Sequence, residues 1–383
     1  MPTRLFALLS FLFLAFAQTA LAQVTAPTIA ARAWILLDET TGQVLASHEP
    51  DMKVEPASLT KIMTAYLAFD ALREKRIALD QRPVVSQAAY KAIGSRMFVE
   101  PAKPATVEEL LNGVIVQSGN DASIVLAEAL AGTEESFAEQ MNRAAQRMGL
   151  RNTSFRNATG LPDPQHYTTA RDLVTLAQRL IEDFPDQYPL YSKRDYTYNN
   201  IRQPNRNRLL AIDPSVDGMK TGHTDAAGYC LIASAKRDLP GIGGTRRLIS
   251  VVLGAASESA RAIESQKLLN YGYQNFEVVR IQPKDKPAGT YDVWKGSKDA
   301  VDGGFAGDVL VSVPRGQTEQ VKAEIERVQP LIAPIAQGQQ IGTLRVRIGD
   351  QLVAERPLLA LSAVEPAGWF GRTWDSLRLM LAR

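Results

Sequence analysis

Pro56-Ala57-Ser58-Leu59-Thr60-Lys61-Ile62-Met63-Thr64-Ala65-Tyr66-Leu67 sets a serine three residues ahead of a lysine at what reads as a helix N-terminus. Three residues are about 300° of α-helical turn, so Ser58 Oγ and Lys61 Nζ project from nearly one face and can meet. Behind them Ile62, Ala65, Phe69 and Leu72 recur at helical spacing, which predicts a core-facing stripe that holds the pair rigidly. A serine hydroxyl with a lysine amine in reach is a nucleophile with a base. Taken alone, the spacing fits an N-cap serine beside a solvated lysine at least as well, because one short motif carries little weight. The rest of the chain decides between the two.

The first residues, Met1 to Ala22, carry Arg4, an apolar run from Leu5 to Ala17 and the small-x-small site Ala20-Leu21-Ala22. That is the pattern of a secretory signal peptide, too short in its apolar part to span a bilayer, and the mature chain then starts near Gln23. No internal apolar run is long enough to cross a membrane. An exported chain with the single cysteine Cys230 has no intrachain disulfide, so a sizeable hydrophobic core must hold it. With 43 basic against 41 acidic residues the net charge is +2, which argues against nucleic-acid binding by bulk charge.

Working outward from Ser58, Trp34-Ile35-Leu36-Leu37 and Gln43-Val44-Leu45 around Glu39-Thr40-Thr41-Gly42 predict a hairpin just before the helix. Thr106 with Glu109 is a capping box ahead of Leu110, Leu111, Val114 and Ile115; this helix breaks at Gln117-Ser118-Gly119-Asn120-Asp121 and resumes through Leu130. Further helices are predicted from Glu134 to Met148, closed by Gly149, and from Ala170 to Asp183, opened by Thr169 and Asp172. Between them, Arg151 to Thr168 is an irregular loop of a length associated with function. Strands are predicted at Tyr229 to Ala235 and Leu248 to Leu253, then a helix from about Ser259 to Tyr271. Early and late strands around central helices give an α+β domain, an antiparallel sheet flanked by helices, over residues 23–275. Short apolar pieces between Gly, Pro and Asp turns make residues 276–362 a small all-β domain. In the tail Phe370, Trp374, Leu377 and Leu381 share one helical face, with Trp369 and Met380 beside them, so residues 363–383 read as an amphipathic helix lying on a membrane.

Three chemical features now stand in order: Ser58-x-x-Lys61 on a helix, Ser118-Gly119-Asn120 in an interhelical turn, and Lys220-Thr221-Gly222 on a strand at the sheet edge. This is the S-x-x-K, S-x-N and K-T-G signature of penicillin-binding proteins and serine β-lactamases. With Pro56 to Thr64, Ser118-Gly119-Asn120-Asp121-Ala122, Asp217-Gly218-Met219-Lys220-Thr221-Gly222-His223-Thr224, the β-domain and the amphipathic tail, nearly the whole mature chain resembles the low-molecular-mass D-alanyl-D-alanine carboxypeptidases of the penicillin-binding-protein 5 type. The resemblance implies a transpeptidase-like catalytic domain with a helical subdomain, lifted from the membrane by the β-domain. It also implies an enzyme that removes the terminal D-alanine of peptidoglycan pentapeptide stems through an acyl-enzyme, without cofactor or metal, and that β-lactams acylate. The location implied is periplasmic, with peripheral contact to the cytoplasmic membrane through Ala367 to Arg383.

Residue chemistry assigns Ser58 as nucleophile and a neutral Lys61 as its base, with burial, the helix N-terminus and the Lys220 cation lowering the lysine. Ser118 is expected to relay the proton to the leaving amine, and Asn120 to hold Lys61 and the substrate amide. By resemblance, the backbone amides of Ser58 and His223 form the oxyanion hole. The substrate carboxylate is expected to meet Lys220 and Thr221, beside Gly222, and the resemblance adds Arg206 and Arg261 as supporting candidates, each of which fits a structural salt bridge as well. A Ser-His-Asp triad is disfavoured because no G-x-S-x-G elbow accompanies His223. A zinc site is excluded, because His48, His166 and His223 are the only histidines and none is at ligand spacing from another. The 151–168 loop has Asp163 as its only acidic residue, so it lacks the glutamate with which class A β-lactamases deacylate. Two other readings remain: an endopeptidase of peptide cross-links and a non-catalytic wall-binding scaffold.

Overall fold

The computed structural model describes residues 25–284, 286–369 and 373–375. The signal-peptide expectation lies outside the described residues, as do Phe370, Leu377, Met380 and Leu381 of the tail. Strands β1 (Ala33–Asp38) and β2 (Gln43–His48) form the expected hairpin. Late in the chain, β5 (Val216–Thr224), β6 (Gly228–Asp238) and β7 (Thr245–Ala255) complete one antiparallel sheet of order β2-β1-β7-β6-β5. The apolar run of β1 follows from a sheet covered on both sides. Ala33, Ile35 and Leu37 enter the core under the helical layer, whereas Trp34 and Leu36 enter the core under the last helix. The intervening β3 (Asp195–Tyr198) and β4 (Ile201–Pro204) form a separate small hairpin. It lies outside the expected strands, although its Asn199-Asn200 turn has φ of 46° and 60°, the left-handed pair that favours asparagine in two-residue hairpins.

Helix α1 (Lys61–Arg73) is buried over most of its circumference, so the predicted stripe of Ile62, Ala65 and Phe69 is one side of a central helix. Around it lie α2 (Gln87–Tyr90), α3 (Val107–Asn112) with its Thr106/Glu109 capping box, α4 (Asn120–Ala131), α5 (Glu134–Arg147) and α6 (Ala170–Asp183), capped by Thr169. Short α7 (Leu209–Ile212) precedes β5. Helix α8 (Glu258–Asn275) crosses the other face of the sheet and runs past Tyr271, where the helix was expected to end. The next residue, Gly272, serves a contact: a Cβ would meet Leu248 at 2.6 Å and Leu36 at 3.0 Å, so glycine lets the helix lie close on the sheet.

Strand β8 (Phe276–Gln282) follows α8 directly and pairs with β11 (Val309–Pro314). The other sheet of this all-β unit has order β12-β13-β14-β10-β9, from β9 (Gly289–Asp292), β10 (Ala300–Gly304), β12 (Val321–Arg327), β13 (Gln340–Ile348) and β14 (Gln351–Ala360). It has its own core of Val301, Val311, Val313, Ile341, Val346 and Leu358. A polar junction ties the two units. Arg246 Nε meets Asp38 Oδ2 at 2.8 Å, Arg246 Nη1 donates to Phe276 O at 2.9 Å, and Ser312 Oγ donates to the same Asp38 oxygen. Gln43 pairs with the Ser312 backbone through both ends of its amide.

Candidate active site

Ser58 lies in a 3₁₀ turn, Ala57–Thr60, that runs into α1. The expected α-helical offset of 300° therefore closes further, since residues three apart eclipse in a 3₁₀ helix. Lys61 Nζ donates to Ser58 Oγ at 2.9 Å, to Asn120 Oδ1 at 2.7 Å and to the Thr159 carbonyl at 2.6 Å. Burial first, and the Arg206 guanidinium second, push Lys61 down to about 7, while Asp121 and Glu134 pull the other way. Of its three partners only Ser58 has a proton to give. In the neutral amine, the carbonyls of Asn120 and Thr159 take the two N–H bonds and the lone pair faces the Ser58 hydroxyl.

The second motif sits at a helix-to-helix break narrower than predicted. The π-helical segment Gly113–Gln117 ends at Ser118, whose φ is 59°, and α4 begins two residues later. The Gly119 amide closes the turn on the Gly113 carbonyl at 2.9 Å. Glycine is the usual occupant of such a left-handed C-terminal position, so a serine there is held against local preference. Ser118 Oγ accepts from Lys220 Nζ at 2.9 Å, which leaves its own proton free for the cleft. Asn120 accepts Lys61 at Oδ1, but its amide nitrogen donates to the Ile93 carbonyl at 2.6 Å. One of that nitrogen's two N–H groups thereby orients Asn120, and the expected hold on the substrate amide would fall to the other. Asp121, in the same motif, accepts the backbone amides of Met97, Phe98 and Val99 and pins the wall beside it.

Lys220, Thr221, Gly222 and His223 lie on β5, the outer strand of the sheet, whose free edge faces the Ser58 turn. Gly222 makes this approach possible: a Cβ there would stand 3.1 Å from Pro56 O and 3.2 Å from Ser58 N. Ser58, Ser118, Thr221, Gly222, His223, Arg206 and Arg261 share a cleft of about 530 Å³ with Gly94, Ser95, Tyr229 and Glu258. Lys220 is placed differently from expectation. It is buried, donates to Ser118 and to the Thr221 carbonyl, and burial with Lys61 and the two arginines pushes it well below the ordinary lysine value. Thr221 and the exposed Arg206 line the cleft itself. Arg261 is mainly structural, donating to Gly222 O at 3.2 Å and lying 3.7 Å from Glu258. The His223 ring lies against Tyr229, tilted by 32° with 4.0 Å between centroids.

Sequence reading missed the 151–168 loop's part, because its contribution to Lys61 is a backbone carbonyl. Asn157 Oδ1 accepts from the Thr159 and Gly160 amides at 3.1 and 2.7 Å and so shapes the turn. Thr64 Oγ1 donates to Ala158 O at 2.7 Å, and Glu134 on α5 accepts the Ala158 amide at 2.9 Å. Gly160 has φ of 82°, and a Cβ on it would fall 1.8 Å from Ala57 O. Gly160→Ala is therefore expected to push the loop off the serine turn. Acylation by a fluorescent penicillin should fall at least about 100-fold, the scale of a 1 Å misplacement, and thermal melting should show a destabilised fold. Wild-type acylation by this variant refutes the account.

The family profile described as D-alanyl-D-alanine carboxypeptidase matches residues 20–257, and that of the penicillin-binding protein 5 C-terminal domain matches residues 276–366. The chain is 44% identical over 378 residues to D-alanyl-D-alanine carboxypeptidase DacC of Escherichia coli K12, covering 96% of this chain and 92% of that one. Among solved structures, penicillin-binding protein 5 of Haemophilus influenzae is 38% identical with a TM-score of 0.83, covering 90% of this chain and all of the other. Penicillin-binding protein D2 of Listeria monocytogenes in its ampicillin-bound form is 29% identical with a TM-score of 0.59, covering 65% of this chain and 100% of the other.

Proposed function

The chain belongs to the D-alanyl-D-alanine carboxypeptidase family and is a serine-type carboxypeptidase of that class, and we propose that Ser58 is the residue acylated when it removes the terminal D-alanine from peptidoglycan pentapeptide stems. The observation that carries this assignment is Lys61, buried and lowered to about 7, with Ser58 the only proton donor among its three partners. The stem enters as an added strand along the free edge of β5, its terminal carboxylate toward Thr221 and Arg206. Neutral Lys61 takes the Ser58 proton as Oγ attacks the penultimate carbonyl, whose developing charge meets the backbone amides of Ser58 and His223. Ser118, held in place by Lys220, gives its hydroxyl proton to the leaving D-alanine nitrogen and takes back the one that Lys61 received, so that Lys61 is neutral again. Water then releases the shortened stem. The same Ser58 ester forms with β-lactams, and the loop's lack of a glutamate supports slow release. Release of D-alanine from a pentapeptide ending in D-Ala-D-Ala, with cross-linked muropeptides left intact, is the expected result. Cleavage of the cross-links instead makes the chain an endopeptidase.

We further propose that the enzyme is exported and rests on the outer face of the cytoplasmic membrane through residues 367–383. Among the described residues no helix is long and apolar enough to cross a membrane. Trp369 and Trp374 are 68% and 63% exposed at the base of this tail, the placement of interfacial tryptophans. The base is fixed to the β-domain, with Lys295 N donating to Asp375 at 2.6 Å and Ala367 N donating to Lys295 O. Removal of residues 367–383 is expected to move the protein from membrane to soluble fractions while leaving D-alanine release unchanged. Retention on membranes refutes the anchor.

A further inference from the structure

His166 is a buried polar residue that the mechanism above does not use. It closes the 151–168 loop, and its ring reaches across to the turn that carries the nucleophile: Nε2 lies 3.0 Å from Thr60 Oγ1. The Arg156 amide points at the other nitrogen, Nδ1, at 3.4 Å. A backbone N–H only donates, so Nδ1 is the bare nitrogen and Nε2–H donates to Thr60. Thr60 stands between Ser58 and Lys61 in the chain, and its Oγ1 is 2.9 Å from where a Gly160 Cβ would be. The same loop presents the Thr159 carbonyl to Lys61 Nζ at 2.6 Å. The loop therefore grips the turn at two points, one at Lys61 and one at Thr60.

We propose that His166 is a positioning residue for the reaction, locking the loop to the Ser58–Lys61 turn through Thr60 so that the Thr159 carbonyl stays on Lys61. This inference rests on the assignment of Ser58 and Lys61 above. A second proton on the ring would have to point at the Arg156 N–H. Of the charged groups around it, Asp163 favours that proton while Arg156 and Lys61 oppose it, and burial dominates, holding the ring down to about 4. The Phe155 ring meets it edge-on at 5.8 Å. The lock is thus neutral wherever Lys61 works, and the acid limb of activity belongs to Lys61.

The test uses the full chain, a fluorescent penicillin as acylating probe, rates between about pH 5 and 9, and melting curves. His166→Leu and Thr60→Val are each expected to slow acylation about 10-fold or more, part of the roughly 100-fold cost of a 1 Å misplacement. The double variant should lose no more than either single, because both break one contact. The acid-limb midpoint should rise in both, since a loosened loop lets water back to the Lys61 ammonium. His166→Gln, which keeps a donor for Thr60, should restore both rate and midpoint. Wild-type rate and midpoint in folded His166→Leu and Thr60→Val overturn the proposal, as do losses that multiply in the double variant. If His166→Leu does not fold, Thr60→Val decides by the same criteria. A wild-type protein that takes no label at Ser58 refutes the underlying assignment instead, so the two failures are distinguishable.

Discussion

Ser58→Ala is expected to lower D-alanine release by about 10⁴- to 10⁶-fold, the range seen when a catalytic serine nucleophile is removed. It should also abolish the covalent penicillin adduct. The fold should survive. Ser58 is half-buried at the cleft, its hydroxyl is engaged by Lys61 Nζ at 2.9 Å, and alanine fits the same 3₁₀ turn. Mass spectrometry of the penicillin-treated protein reads the result, with melting curves as the control for folding. An adduct that persists in this variant would move the nucleophile elsewhere, and Ser118 would be the first candidate because its hydroxyl also faces the cleft. D-alanine release at the wild-type rate would mean that the Ser58–Lys61 pair is structural. A scaffold without activity is separated by the wild-type protein alone, which would release no D-alanine.

The parts of the site that were legible in the sequence are those whose proposed role belongs to a side chain. Ser58, Lys61, Ser118, Asn120, Lys220 and Thr221 form three short motifs in a set order, and the fold brings them together. What was not legible is carried by backbone and by contact. The Thr159 carbonyl has no side-chain signature, and the only traces of it are Asn157 as a turn former and Gly160 where φ is positive. Glycine serves both as helix terminator and as a site of close approach, and only the packed Leu36 and Leu248 show that Gly272 is the second. Arg206 and Arg261 were indistinguishable in sequence. In the fold, Arg261 is absorbed by Gly222 and Glu258, while Arg206 is exposed in the cleft. The β1 run was legible as a strand, but its burial on both faces depends on α8, which lies more than 200 residues later.

The activity should fall tenfold per pH unit below about 7, because acylation needs Lys61 neutral and the folded protein holds it near that value. The sign follows from the direction of the shift. Burial lowers Lys61 from 10.5 to about 7, so between those two pH values the unfolded chain binds a proton that the folded one does not. Stability therefore rises with pH across that window, by about 5 kcal/mol in all at 1.36 kcal/mol per pH unit, and the full cost of burying the ammonium is present below 7. Lys61→Met removes this dependence. Its stability relative to wild type should decline steadily from about pH 7 to 10, whatever constant difference comes from leaving Asn120 Oδ1 and Thr159 O without their donor. Urea denaturation of both proteins across that range measures the slope, and stopped-flow acylation of the wild type measures the midpoint. Lys61→Arg gives the complementary result, since a guanidinium stays charged at every pH used and should leave no acylation to titrate. A wild-type profile flat to mildly acidic pH, with equal stability slopes in wild type and Lys61→Met, would mean that another group takes the Ser58 proton. The two measurements bear on one proton from opposite sides: the same burial that makes the lysine a base at neutral pH makes it a cost to the fold, and neither effect is expected without the other.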